Sequence, residues 1–125
     1  MTRPSVLIVD DHPGFRTQAG ELLAAAGFDV IGEAVDGRTA IEATSHDHPT
    51  VVLLDIQLPD LDGFEVAERL LAQPDPPLVV LVSTREASDY GRRITRSGAL
   101  GFITKSRLSG DTLRGMLPRW KEEAE

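Results

Sequence analysis

The chain has 125 residues, which suits one compact α/β domain and is too short for two, so we expect residues 1–125 to form a single domain. It contains no cysteine, and its apolar runs are too short for a membrane span or a signal peptide, so we expect a cytoplasmic protein without disulfides or thiolate metal sites. A net charge of −7 argues against direct binding of nucleic acid by this chain.

The first half of the chain predicts two strands, each followed by a helix. Residues 5–9 form a continuous apolar run, which is typical of a strand buried on both faces of a sheet. Apolar residues at helical spacing then predict a helix over residues 13–26, which Gly27 ends. A more exposed strand over residues 28–34 and a short helix over residues 38–45 follow.

The second half repeats this alternation three times. The third, fourth and fifth strands are predicted by apolar runs at residues 50–54, 78–82 and 100–104. The turn signal Asp62-Gly63 opens the third helix, and residues 87–97 predict a polar fourth helix with few core anchors.

The last predicted helix starts after Ser109, a good N-cap residue, and carries Asp111 in its first turn. Its apolar stripe consists of Leu113, Met116, Leu117 and Trp120. Pro118 lies inside that pattern and lacks the amide proton that a helix interior needs, so we expect a kink or a break there.

Strands that alternate with helices predict a parallel sheet with right-handed crossovers and helices on both faces. In such a sheet, functional residues gather beyond the carboxyl ends of the strands. The polar residues that stand directly after apolar runs are Asp10, Asp11, Asp55, Ser83 and Lys105. We therefore expect these five side chains to meet at one edge of the sheet.

These five side chains suit the chemistry of an aspartyl phosphate site. Three neighbouring carboxylates repel one another at neutral pH, and Mg²⁺, which prefers oxygen ligands, would neutralise them. The ammonium group of Lys105 and the hydroxyl group of Ser83 suit a phosphoryl group, and a carboxylate can accept one covalently. Each residue alone also has an ordinary explanation as a helix cap, a turn residue or a surface lysine, so it is the ordered set that favours a site.

The chain resembles the receiver domains of bacterial two-component response regulators over essentially its whole length. The resemblance is carried by residues 6–13 (VLIVDDHP), 52–63 (VLLDIQLPDLDG), 80–83 (VLVS) and 98–105 (GALGFITK). The acidic start that runs on to Arg16 is similar to receivers of the NarL/FixJ type. The resemblance implies a flavodoxin-like or CheY-like α/β fold, a doubly wound sheet of five parallel strands in the order 2-1-3-4-5.

The resemblance also implies how the acidic residues would act. Asp55 would be the phosphoacceptor, and the cofactor would be Mg²⁺. Asp11 and Asp55 would bind the ion directly, and Asp10 would act largely through water. The backbone carbonyl of Gln57 would supply a further ligand.

The same resemblance implies a switch that phosphorylation controls. Lys105 would hold a phosphoryl oxygen, Ser83 would turn towards the phosphoryl group, and Phe102 would move inward behind it. The donor would be a sensor histidine kinase or a phosphotransfer protein. The chain would promote its own phosphorylation and would then hydrolyse its aspartyl phosphate slowly. It would not be an enzyme. The output would be transcription if the chain is part of a longer regulator, because NarL/FixJ-type regulators usually continue into a DNA-binding domain.

The chain departs from the family pattern at several positions, two of which concern the switch and the site. Position 102 is Phe where Tyr is commoner, which removes a hydroxyl group from the implied switch. Ser106 follows Lys105 where many members have proline, and the sequence leaves the isomer of that peptide bond open.

The main alternative is an interaction module with a receiver fold that works independently of phosphorylation. Residues 87–120 would form its binding face, and the same face would suit a homodimer. A phosphatase of the haloacid-dehalogenase type needs a second aspartate where Gln57 stands. A flavodoxin-like cofactor binder would be opposed by the charges of Asp10 and Asp11, which repel phosphate.

Overall fold

The computed structural model describes residues 3–118, and in this range five strands alternate with helices. The elements are β1 (Ser5–Val9), α1 (Pro13–Ala25), β2 (Asp29–Ala34), α2 (Gly37–Asp47), β3 (Val51–Asp55), α3 (Gly63–Leu71), β4 (Leu78–Ser83), a 3-10 helix (Ala87–Asp89), α4 (Arg92–Arg96), β5 (Gly101–Thr104), a second 3-10 helix (Lys105–Arg107) and α5 (Gly110–Met116). The strands pair in parallel in the order β2-β1-β3-β4-β5, which confirms the predicted fold. None of the helices in this range is long and apolar enough to cross a membrane.

The sheet is covered on both faces because alternate residues of its inner strands point to opposite sides. In β1, Val6 and Ile8 pack with residues of α1 and α5, whereas Leu7 and Val9 pack with residues of α2 and α3. All four side chains are almost completely buried. The continuous apolar run that predicts a buried strand therefore serves two separate cores, one on each face of the sheet.

The strand register brings the carboxyl ends of four strands to one edge of the sheet. Asp10 follows β1, and Asp55 ends the neighbouring strand β3, whose register with β1 makes the two residues adjacent. On its other side Asp55 is paired with the residue that precedes Ser83 in β4. Ser83 is paired in turn with Thr104 of β5, which precedes Lys105. The parallel register thus delivers the predicted site residues to the same edge.

The segment predicted as one polar helix over residues 87–97 is divided in the structure, so the prediction of a continuous helix is wrong. A 3-10 helix covers Ala87–Asp89, and α4 covers only Arg92–Arg96. Gly91 lies between them with a φ of 58°, outside the helical region, and glycine adopts such values at little cost. The glycine in the middle of the segment therefore interrupts the helix.

The last helix ends where the sequence predicts a break. Ser109 caps α5 by accepting a hydrogen bond from a backbone amide of the first turn. The helix ends at Met116, and Leu117 already has an extended backbone, because the following Pro118 disfavours the helical conformation there. Trp120, and with it part of the predicted interaction face, lies outside the described residues.

Candidate functional site

Three predicted carboxylates and Lys105 meet at the carboxyl edge of the sheet. Ligand atoms of Asp10, Asp11, His12 and Asp55 lie within 4.8 Å of one another. Asp10 is fully buried and Asp55 is 3% exposed, whereas Asp11 and His12 face solvent. The cluster is therefore a pocket that opens to solvent on one side and has two buried carboxylates at its base.

The two carboxylate oxygens of Asp10 have different partners. Its Oδ1 accepts a hydrogen bond from the backbone amide of His12 at 2.9 Å, and Nδ1 of the same histidine lies 3.0 Å away. Its Oδ2 forms an ion pair with Lys105 Nζ at 2.5 Å. The charge of the Lys105 ammonium group therefore offsets the cost of burying this carboxylate.

Asp55 has a buried carboxylate with a raised pKa. Its Oδ1 accepts a hydrogen bond from the backbone amide of Gln57 at 3.2 Å, and its Oδ2 lies 3.5 Å from Lys105 Nζ. Burial raises the pKa of Asp55 from 3.8 to about 6, the charge of Asp10 adds to the rise, and Lys105 and the Gln57 amide partly offset it. At neutral pH the carboxylate is still ionised in most molecules and more basic than an ordinary aspartate, which suits a nucleophile.

Lys105 stands between the two buried carboxylates. Its side chain is 12% exposed, and its ammonium group also lies 4.5 Å from the centre of the Phe15 ring. No cis peptide bond occurs in residues 3–118, so the bond from Lys105 to Ser106 is trans. Lys105 therefore belongs to the pocket and is not a solvated surface lysine.

A glycine keeps the turn after Asp55 tight. The amide of Gly63 donates a hydrogen bond to the carbonyl of Ile56 at 2.8 Å. A Cβ atom on Gly63 would lie 2.5 Å from Ile56 Cα and 2.7 Å from the Asp55 carbonyl oxygen, so any side chain would push this turn apart. Gln57 lies in the same turn with an exposed side chain, and the role of its carbonyl as a metal ligand stays a prediction.

The predicted switch residues Ser83 and Phe102 both contact Tyr90. Ser83 Oγ lies 2.7 Å from the Tyr90 hydroxyl oxygen and accepts a hydrogen bond from the backbone amide of Arg85 at 3.1 Å. The rings of Phe102 and Tyr90 pack with 5.9 Å between their centroids. Asp55 is not among the hydrogen-bond partners of Ser83, so the turn of Ser83 towards a phosphoryl group stays a prediction.

Two supporting residues have no assigned role in the sequence analysis. Arg16 Nη1 donates a hydrogen bond to the backbone carbonyl of Asp10 at 2.7 Å, and its Nε donates one to Glu33 Oε1 at 2.9 Å. An arginine one helical turn after an acidic pair is a signal that could have suggested this contact. Tyr90 is the second such residue, and its contact with Ser83 has no comparable signal because it crosses an irregular segment.

Relatives among known proteins cover most of the chain. The family model described as the response regulator receiver domain matches residues 6–117. BvgA of Bordetella pertussis, a transcription regulator of virulence factors, is 40% identical over 100 residues, which are 80% of this chain and 48% of BvgA. A protein-glutamate methylesterase/protein-glutamine glutaminase of Halobacterium salinarum is 34% identical over 118 residues, which are 94% of this chain and 33% of that protein.

A solved structure shares both the fold and part of the sequence. The signal receiver domain of the response regulator NarL from Mycobacterium tuberculosis superposes with a TM-score of 0.83 at 30% identity. The superposition covers 93% of this chain and 98% of that domain. The chain spans about half the length of BvgA, with 48% covered.

Proposed function

The chain belongs to the response regulator receiver domain family of two-component systems, and on that basis we propose that it accepts a phosphoryl group on Asp55. The observation that carries this assignment is the position of Asp55, a buried carboxylate beside Asp10 whose Oδ2 lies 3.5 Å from Lys105 Nζ. Membership of this family does not favour the alternative of an interaction module that works without phosphorylation.

The oxygen atoms of the pocket fit Mg²⁺, which receiver domains bind at an acidic cluster of this kind. Hard divalent cations take oxygen ligands, and carboxylate oxygens of Asp10, Asp11 and Asp55 lie within 4.8 Å of one another. We propose that Asp11, Asp55 and the backbone carbonyl of Gln57 hold the ion directly and that Asp10 acts largely through water. When bound, the ion neutralises the charge of the carboxylates and of the transferred group.

In the proposed reaction Asp55 is the nucleophile. One of its carboxylate oxygens forms a bond to the phosphorus atom of a phosphohistidine, the phosphorus–nitrogen bond breaks, and the departing imidazole nitrogen takes up a proton. The product is a mixed anhydride of the carboxylate and phosphate, and the ammonium group of Lys105 offsets its added negative charge. Attack of water on phosphorus later releases inorganic phosphate and restores the carboxylate.

The proposed switch follows from the added charge. Ser83 turns its hydroxyl group to a phosphoryl oxygen, and Phe102 moves inward into the space that Ser83 leaves. Ser83 ends β4, the strand next to the one that Asp55 ends, and Phe102 lies in β5 on the other side of β4.

We propose that the phosphoryl donor is a sensor histidine kinase or a phosphotransfer protein. BvgA is a transcription regulator and this chain covers 48% of it, so we propose that the whole protein controls transcription through a further domain. This chain itself, with a net charge of −7, would not contact nucleic acid. One relative is a methylesterase, but for this chain we propose phosphoryl acceptance and slow hydrolysis rather than turnover of a separate substrate.

Labelling with acetyl phosphate tests the acceptor. We expect a phosphorylated species by intact mass in the presence of Mg²⁺, and none after EDTA or in the Asp55→Asn variant. Asp60→Asn is the matched control because Asp60 lies in the same loop with an exposed side chain, and this variant should be labelled like the wild type. If the label persists in Asp55→Asn, the acceptor assignment is wrong.

A further inference from the structure

The hydroxyl group of Ser83 is held by Tyr90 in this structure. The two hydroxyl oxygens lie 2.7 Å apart, and the backbone amide of Arg85 donates a second hydrogen bond to Ser83 Oγ at 3.1 Å. Ser83 is fully buried at the end of β4, and Tyr90 is half-buried. These two contacts engage the hydroxyl that would otherwise be available to a group on Asp55.

The ring of Tyr90 lies between two phenylalanine rings. Phe64 of α3 meets it edge-on with 5.6 Å between the centroids, and Phe102 of β5 lies 5.9 Å away. Aromatic contacts of this kind favour particular ring orientations. The packing therefore sets the position of the Tyr90 hydroxyl, and that hydroxyl in turn sets the orientation of Ser83.

Tyr90 is the main anchor near the middle of an exposed segment. Residues 84–89 and 91–93 are exposed, and Gly91, next to Tyr90, has a φ of 58°. Arg93 adds an ion pair with Asp62 at 2.8 Å, but both side chains are about half exposed, where such pairs contribute little. A change in the surroundings of the Tyr90 hydroxyl therefore affects the conformation of residues 84–93.

We propose that Tyr90 is a positioning residue that holds the Ser83 hydroxyl turned away from Asp55 while the site is unphosphorylated. The inference rests on the proposed function, in which Ser83 turns towards a phosphoryl group. When Ser83 turns, the Tyr90 hydroxyl loses its partner in a half-buried place, so the ring and residues 84–93 rearrange. Position 102 has no hydroxyl group and Tyr90 is the only tyrosine of the chain, so no other tyrosine can take this part.

Affinity for a phosphoryl mimic is the first test. Mg²⁺ and beryllofluoride are titrated by calorimetry into the wild type and the Tyr90→Phe variant, which keeps the ring and loses only the hydroxyl. A neutral hydrogen bond changes an equilibrium constant about fivefold, and the hydrogen bond between Tyr90 and Ser83 opposes the turn of Ser83. Tyr90→Phe should therefore bind the mimic about fivefold more tightly. Unchanged or weaker binding would overturn the proposal.

Two further variants separate positioning from general destabilisation. Ser97→Ala also removes a buried hydroxyl next to this segment, one that bonds the Ile94 carbonyl and not Ser83, and it should bind the mimic like the wild type. In a chain that already carries Ser83→Ala, the effect of Tyr90→Phe should disappear. A fivefold effect that persists there, or an equal effect of Ser97→Ala, would show that Tyr90 does not act through Ser83.

The single tyrosine also gives a direct signal. Incorporation of 3-fluorotyrosine yields one ¹⁹F resonance, from Tyr90, and we expect it to shift when Mg²⁺ and beryllofluoride are added. Labelling with acetyl phosphate is measured on the same sample. If Asp55 is labelled and the resonance does not move, the inference about Tyr90 fails alone. If no label enters, the proposed function fails and this inference fails with it.

Discussion

Replacement of Asp55 by asparagine should stabilise the metal-free chain at neutral pH. Asp55 is 3% exposed, and its pKa is raised to about 6, first by burial and then by the charge of Asp10. An ionised carboxylate at this position therefore costs free energy. The amide of asparagine has nearly the same size and carries no charge, so the variant avoids that cost.

The sign and size of the effect follow from the pKa. Between the unfolded value of 3.8 and the folded value of about 6, the folded chain binds more protons at Asp55 than the unfolded chain, so the free energy of unfolding falls as the pH rises. At about 1.36 kcal/mol per pKa unit, the complete loss above pH 7 is about 3 kcal/mol. The pocket opens to solvent on one side, which screens the charge and makes this figure an upper bound.

Urea unfolding at pH 5 and pH 8 in EDTA measures the effect. The wild type and Asp55→Asn share all other carboxylates, so the difference between their pH dependences isolates Asp55. We expect the variant to be more stable by about 1–3 kcal/mol at pH 8 and by roughly half as much at pH 5. Free energies that run parallel in the two proteins from pH 5 to pH 8 would mean that Asp55 has no raised pKa, and the reasoning would be refuted.

Asp60→Asn is a control for which we expect the opposite change in the free energy of unfolding. Desolvation alone would raise the pKa of Asp60, but hydrogen bonds from the backbone amides of Gly37 and Arg38, at 2.8 and 3.0 Å, help to lower it below 3.8. The resulting stabilisation is present above pH 3.8 and is lost as the pH falls through the lowered value. Asp60→Asn should therefore be less stable than the wild type at both pH 5 and pH 8.

Three further substitutions and one control test the pocket, the turn after Asp55 and the packing of α5. Lys105→Met removes the ammonium group that lies 2.5 and 3.5 Å from the buried carboxylates, and the initial rate of acetyl phosphate labelling at saturating Mg²⁺ should fall about 100-fold. A rate close to that of the wild type would exclude a role of Lys105 in the transfer. Gly63→Ala should lower the free energy of unfolding in urea by about 1–3 kcal/mol, because its Cβ would lie 2.5 Å from a backbone atom. Gly14→Ala, with no atom within 4 Å of its Cβ, should not destabilise the chain, and equal losses in the two variants would contradict the clash. Leu113→Ala empties a fully buried position in α5 and should cost about 2–5 kcal/mol in the same assay; a negligible loss would contradict the packing of α5 on the sheet.

The sequence indicated the number of strands and α-helices found in residues 3–118 because burial imposes a visible pattern. A strand covered on both faces needs apolar residues at every position, and β3 and β4 show that run as clearly as β1. The prediction of one helix over residues 87–97 failed because helical composition does not reveal backbone angles. The positive φ of Gly91 is a property of the folded chain, and it divides the segment.

The amino-acid sequence by itself determined which residues stand at the ends of the strands. A run of apolar residues must stop where the chain leaves the sheet, so Asp10, Asp55, Ser83 and Lys105 could be named from their order alone. Because the strands pair in parallel, these ends meet at one edge of the sheet.

Only the tertiary structure decided how these side chains are engaged. The contact of Lys105 with Asp55 joins residues 50 positions apart, and the pKa of Asp55 depends on burial that many elements create together. The hydrogen bond between Ser83 and Tyr90 likewise needs the rings on both sides of Tyr90 to be in place. Distances and desolvation are properties of atoms brought together by packing, and a linear pattern of residue types does not contain them.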